Sequence, residues 1–146
     1  MIADPGATVA LGAYAAVLAA AAWTDLRSRR IPNRLTFPAI AVAFTVAAIS
    51  GHLITSLAGA ALGAAVFILP IALYGPKMAG GGDVKLAAFI GAALGVASTV
   101  TALLYAGLAA SAVVLAGLAT RRLKRRQAIP FGPFLALGGV LALFLT

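Results

Sequence analysis

The sequence predicts an all-α, polytopic membrane protein of about six transmembrane helices, with both termini on the outer side of the membrane. Hydrophobic residues make up 63% of the 146 residues, and charged residues make up only 10%. The basic residues lie in short clusters between long apolar runs. A water-soluble domain of this size could not bury so much apolar surface, so lipid must solvate most of it. We expect one transmembrane domain spanning residues 1–146.

Six apolar runs are long enough, or nearly long enough, to cross a bilayer as helices of about 20 residues. They occupy residues 7–24, 36–52, 54–74, 84–97, 99–119 and 130–145. The fourth run has about 14 residues, or roughly 21 Å at 1.5 Å per residue. We therefore expect it to begin below the membrane surface or to be extended by the glycines before it.

The basic residues predict the orientation of these helices. They lie in alternate loops, after the first, third and fifth runs: Arg27, Arg29, Arg30 and Arg34; Lys77 and Lys85; Arg121, Arg122, Lys124, Arg125 and Arg126. Loops rich in Lys and Arg face the cytoplasm, so these three loops are predicted to be cytoplasmic. The alternation indicates membrane topology, and no nucleic-acid partner is expected despite the net charge of +8. The last cluster would also suit anionic lipid.

Two of the three acidic residues lie where an apolar chain should avoid charge. Asp25 ends the first run, and Asp83 follows three glycines and opens the fourth. Carboxylates at bilayer depth are costly and usually face a protein interior or a water-filled cavity. With the orientation above, both lie on the cytoplasmic side, so we interpret them as a candidate pair.

Two neighbouring carboxylates can hydrolyse a peptide bond. One acts as general base on a water molecule, and the other donates a proton to the scissile carbonyl. This chemistry needs no metal or cofactor, and none is expected in a chain with no Cys and a single His. Helix ends favour Asp83 as the base and Asp25 as the acid, because a helix dipole favours negative charge at its N-terminus. The arginines after Asp25 oppose that assignment, so both assignments stay open.

Each aspartate also has a purely structural interpretation. Asp83 could be the N-cap of a helix after a glycine turn, and Asp25 could balance Arg27 or Arg29. The glycines before Asp83 would permit backbone conformations closed to other residues, and they would allow a partner to approach Asp83 closely.

Three segments resemble the prepilin peptidases, which are intramembrane aspartic proteases. The segment from Asp25 to Ile31-Pro32-Asn33 resembles the family's first catalytic motif, and Gly80-Gly81-Gly82-Asp83 matches its Gly-x-Gly-Asp motif. The segment Pro130-Phe131-Gly132-Pro133 resembles the start of its last helix. The resemblance implies that Asp25 and Asp83 are catalytic. It implies substrate-binding or motif-supporting roles for Gly80, Gly82, Lys85, Pro32, Asn33, Pro130, Phe131, Gly132 and Pro133.

The resemblance also implies an inner-membrane endopeptidase that removes the leader of type IV-like prepilins at the cytoplasmic face. Its partners would be the prepilin, membrane lipid and the pilus assembly machinery. Larger family members carry a cysteine-containing region and also N-methylate the new terminus. The chain lacks Cys, so we expect a peptidase-only form similar to those of tight-adherence (Flp) pili, without N-methyltransferase activity. Archaeal preflagellin peptidases are similar too.

Two other classes of protein are compatible with the residues alone. One is a non-enzymatic membrane scaffold or assembly subunit, in which both aspartates are structural. The other is a small proton-coupled transporter that uses the carboxylates as a proton relay.

Overall fold

The computed structural model describes residues 5–125 and 127–145, and five helices form most of this part of the chain. They are α1 Pro5–Ser28, α2 Asn33–Ile49, α3 Leu53–Tyr74, α4 Gly81–Ala119 and α5 Gly132–Leu145. The all-α prediction is confirmed. Arg126 of the last basic cluster and both chain ends, whose outward placement was predicted, lie outside the described residues.

Three helices are long and apolar enough to cross a membrane: α1, α3 and α4. The helices α2 and α5 are apolar but shorter. Six helices were predicted, and the described residues form five, because α4 covers both the fourth and the fifth predicted runs. With 39 residues, a straight α4 would be about 58 Å long at 1.5 Å per residue, nearly twice the hydrocarbon thickness of a bilayer.

Gly95 divides α4 into two parts. Its backbone has φ 77° and ψ −175°, which is not helical. A Cβ on Gly138 of α5 would lie 2.9 Å from the backbone nitrogen of Ala106. A Cβ on the next residue, Gly139, would lie 3.2 Å from Cδ1 of Ile90. A straight helix would separate Ile90 from Ala106 by about 24 Å, so the chain turns back at Gly95 and its two parts lie beside α5 together.

Small residues let α3 approach the first part of α4 very closely. A Cβ added to Gly59 of α3 would lie 2.8 Å from the backbone carbon of Gly95, and one added to Gly91 would overlap the backbone of Gly59. Ser56 reinforces this contact because its hydroxyl donates a hydrogen bond of 2.5 Å to the backbone oxygen of Ala92. The two helices therefore meet backbone to backbone, as small residues allow in membrane proteins.

The buried face of α1 leads directly to the first aspartate. Tyr14, Leu18, Ala21 and Asp25 are its buried residues, and they follow the spacing of one face of a helix. Tyr14 stacks on Phe89 of α4, with ring centroids 5.4 Å apart. Asp25 therefore points into the helical bundle because it continues the stripe by which α1 packs against its neighbours.

Candidate active site

Asp25 and Asp83 line the same cavity, which has a volume of about 420 Å³. Three further segments contribute to its walls, namely residues 29–31, 80–82 and 128–131. These segments lie in the three loops that carry the basic clusters or in the helical turn directly after them, so all three loops meet at one end of the helical bundle. The predicted juxtaposition of the two aspartates is thus present as a shared cavity.

Asp25 lies in the last turns of α1 and is only 7% exposed. The backbone N–H of Gly132 donates a hydrogen bond of 2.9 Å to its Oδ2 atom. Gly132 is the first residue of α5, where N–H groups have no acceptor within the helix. The buried carboxyl of Asp25 therefore receives its donor from α5. The prediction that Asp83 is the base and Asp25 the acid considered only the dipoles of the helices that carry them. The N–H of Gly132 also favours negative charge on Asp25, so it weakens that argument.

Asp83 is the third residue of α4, and it is half-buried. The N-cap of this helix is Gly80, whose carbonyl oxygen accepts the backbone N–H of Asp83 at 3.0 Å. The interpretation of Asp83 as an N-cap is therefore wrong. A Cβ on Gly80 would lie 3.3 Å from Asp83 Oδ2, so the absence of a side chain there leaves the carboxyl group room.

Gly82 brings the two motifs together by close approach. A Cβ on Gly82 would lie 3.1 Å from Cβ of Ile31, a buried residue of the first motif. The expectation that the glycines before Asp83 adopt conformations closed to other residues is wrong. Among the described glycines, a positive φ occurs only at Gly51, Gly75 and Gly95.

Lys85 points toward α2. Its ammonium group donates a hydrogen bond to the side-chain oxygen of Asn33, and it lies 5.4 Å from the ring centroid of Phe37. Pro32 precedes these residues as the N-cap of α2 in an extended conformation. Pro32, Asn33 and Lys85 are absent from the cavity wall. The hydrogen bond between Lys85 and Asn33 joins the start of α2 to the start of α4.

The segment before α5 forms part of the cavity wall. Pro130 and Phe131 line it, and the Phe131 ring lies 5.7 Å from that of Phe67 in α3. Pro133 is the second residue of α5, in the first helical turn where proline is tolerated.

Sequence reasoning missed several residues of the cavity wall: Arg29, Arg30, Ile31, Ala128 and Ile129. It interpreted the two arginines only through topology and charge balance, and Ile31 only as part of a motif. Arg29 has a left-handed φ of 53°, which turns the chain away from α1 toward the cavity. Within residues 5–125 and 127–145, no three His, Asp or Glu side chains form a group that could hold a metal ion.

Comparison with known proteins identifies the family. The family model described as "Type IV leader peptidase family" matches residues 12–115, most of the chain. The chain belongs to this family. The predicted membership of the prepilin peptidase family is thereby confirmed, and the matched residues include the first two of the three motifs. The chain is an integral membrane protein of the type IV leader peptidase family.

Two curated relatives carry the same name, "Prepilin leader peptidase/N-methyltransferase". The protein from Bacillus subtilis is 35% identical over 132 residues, which cover 88% of this chain and 52% of the relative. The protein from Burkholderia pseudomallei is 34% identical over 144 residues, which cover 94% of this chain and 46% of the relative. The chain thus spans about half the length of these relatives. No solved structure matches it.

Proposed function

We propose that this leader peptidase is an aspartic endopeptidase that cleaves the leader from type IV-like prepilins of the Flp class. The observation that carries the proposal is the shared cavity, lined by the Asp25 and Asp83 carboxyl groups. Its volume of about 420 Å³ leaves room for a peptide segment and a water molecule between the walls.

In the proposed mechanism, one carboxylate takes a proton from the attacking water and the other carboxyl group donates a proton to the scissile carbonyl. Water addition gives a tetrahedral gem-diol, which collapses as its C–N bond breaks. The carboxyl group that took the proton from water gives it to the leaving amine, and the other carboxylate takes a proton from a gem-diol hydroxyl. The pair thus returns to its starting state without a covalent bond between enzyme and substrate. The N–H of Gly132 holds one oxygen of Asp25, which fixes the orientation of that carboxyl group.

The proposed reaction takes place at the cytoplasmic face of the inner membrane. The argument comes from the basic loops, which the positive-inside rule assigns to the cytoplasm. Residues from all three of these loops line the cavity. A substrate anchored by an apolar segment would meet the two aspartates at the membrane surface.

We further propose that this chain acts as a peptidase without N-methyltransferase activity. The curated relatives have both activities in their name. The proposal is supported by the lack of Cys in this sequence, because the family resemblance implies a cysteine-containing region in the members that also methylate.

The test is co-expression of the chain with an Flp-type prepilin, followed by size analysis of the prepilin. Asp25→Asn and Asp83→Asn should each lower the cleavage rate by at least about a hundredfold, the lower range for removing a general acid or base. Asp4→Asn is the matched control, since it makes the same chemical change at the third acidic residue. The mass of the mature N-terminus should show no added methyl group.

Several results would contradict the dyad. Cleavage that persists in either single Asn variant would rule out shared catalysis by Asp25 and Asp83. Failure of the unaltered chain to cleave any prepilin, with normal membrane insertion, would favour a scaffold. A proton-coupled flux without cleavage would favour a transporter.

A further inference from the structure

A second cavity of about 280 Å³ lies between the last turns of α4 and the beginning of α5. Its floor is apolar and is formed by Ala110, Val114 and Leu118 of α4, with Phe131 and Phe134 on the other side. These side chains are partly exposed. The cavity is therefore an apolar crevice at the bundle surface.

The rim of this crevice is positively charged. Lys124 and Arg125 line it and are exposed. Two hydrogen bonds stabilise the turn that carries them: the N–H of Gln127 donates to the carbonyl of Lys124 at 3.0 Å, and the N–H of Lys124 donates to Gln127 Oε1 at 3.4 Å. Asp25 and Asp83, the acidic residues in the described part of the chain, line the other cavity. The crevice thus combines an apolar floor with two cations at its mouth.

We propose that this crevice binds an anionic phospholipid. Its phosphate would lie between Lys124 and Arg125, and the first part of an acyl chain would lie on the floor. The chain would continue along the outer face of α4, where Leu108 and Leu115 are 65% and 67% exposed. Anionic lipids of the cytoplasmic leaflet attract such juxtamembrane cations.

The size and charge of the crevice argue against the prepilin as its occupant. One turn of an α-helix, about 10 Å wide and 5.4 Å long, fills roughly 400 Å³, which is more than the crevice holds. The family resemblance implies a prepilin substrate with a short basic leader, which the two cations at the rim would repel. A phosphate with a single acyl chain satisfies both the charge and the shape.

The crevice and the candidate active site share a wall. Ile129 and Phe131 line both cavities, and the next residue, Gly132, donates the hydrogen bond to Asp25. A bound lipid would therefore stabilise the segment that positions this donor. Only this consequence for activity rests on the proposed function; the lipid site itself does not.

Native mass spectrometry of the purified full chain, titrated with phosphatidylglycerol, tests the site without any prepilin. The double variant Lys124→Gln/Arg125→Gln should weaken binding by roughly tenfold or more. The control Arg121→Gln/Arg122→Gln removes the same charge from exposed residues of the same loop that do not line the crevice, and it should bind within about twofold of the unaltered chain. Equal losses in both variants would overturn the proposal in favour of diffuse attraction by the basic surface.

A second pair of variants tests the apolar floor at constant charge. Ala110→Phe should fill part of the crevice and lower phosphatidylglycerol binding at least fivefold. Ala116→Phe makes the same change at an exposed residue of α4 that does not line the crevice, and it should not lower binding. Inorganic phosphate should fail to compete, since it has no acyl chain. If Ala110→Phe left lipid binding unchanged but weakened prepilin binding, the prepilin would be the occupant and the lipid proposal would be refuted. Phosphatidylglycerol binding by a chain that cleaves nothing would refute the proposed function alone.

Discussion

Gly132 is the residue at which the absence of a side chain matters most for the candidate active site. Its N–H donates to Asp25 Oδ2 at 2.9 Å, and a Cβ at this position would lie 2.6 Å from the same oxygen. Such a distance is shorter than any ordinary contact between these atoms. The hydrogen bond and the close approach together require glycine.

We predict that Gly132→Ala lowers prepilin cleavage by at least about tenfold. The new methyl group would push the Asp25 carboxyl group out of place, and a displacement of about 1 Å can cost on the order of a hundredfold in rate. Cleavage rates in isolated membranes provide the measurement. Gly12→Ala in α1 is the control, because a Cβ there has no neighbour within 4 Å. Unchanged cleavage by Gly132→Ala would show that the Asp25 donor is dispensable.

The sequence could identify the two candidate catalytic residues, but it could not show which residues they contact. Asp25 and Asp83 stand out because acids are so scarce in an apolar chain. The role of Gly132 as a donor to Asp25 involves residues far apart in sequence. Likewise, the family resemblance implied a substrate-binding or motif-supporting role for Lys85, and the packing of α2 against α4 shows that Lys85 binds Asn33.

At the scale of elements, α4 shows how one glycine can divide a helix. Gly95 has φ 77° and ψ −175°, a region that is essentially restricted to glycine. The helices on either side lie together against Gly138 and Gly139 of α5. The turn at Gly95 is therefore what brings the two parts of α4 to the same part of the bundle.

We predict that Gly95→Ala destabilises the protein by about 1–3 kcal/mol, the usual cost of placing a non-glycine residue in such a conformation. Thermal unfolding in detergent would measure this as a lower transition temperature. Gly107→Ala lies in the same helix, where a Cβ would meet no atom within 4 Å. It should be neutral or stabilising by up to about 1 kcal/mol, because alanine favours helices more than glycine. Equal stability of the two variants would refute the strained turn.

The helix positions were predicted well, and their boundaries less well. The α3 helix, Leu53–Tyr74, begins within one residue of the predicted run and ends where it does. By contrast, α4 begins at Gly81 rather than at residue 84. Hydropathy marks the apolar core of a helix but not its polar first turn, which here contains glycines and Asp83. This first turn is the one that carries the candidate catalytic residue.

At the scale of the whole molecule, the three basic loops meet at one end. Residues of all three line the cavity that contains both aspartates. The alternation of basic and uncharged loops predicts this convergence, because loops on the same side of a membrane alternate along the chain.

We predict opposite accessibility for the basic and the uncharged loops. The chain has no Cys, so single-cysteine variants can be labelled without background. His52→Cys should react with an impermeant maleimide from the outside of spheroplasts. Lys77→Cys and Arg122→Cys should react only in inverted membrane vesicles, since all three positions are exposed but the latter two lie in basic loops. Labelling of Lys77→Cys or Arg122→Cys from outside would overturn the proposed cytoplasmic active site.

The sequence by itself determined the all-α class, the basic loops, the two candidate aspartates and the family motifs. These follow from composition and short-range order, since hydrophobicity, charge and motif spacing are properties of the chain before it folds. The tertiary structure decided which residue serves each aspartate, where α4 turns, and that a second crevice shares a wall with the site. These features depend on contacts between distant helices, and glycines permit those contacts only where two backbones actually meet.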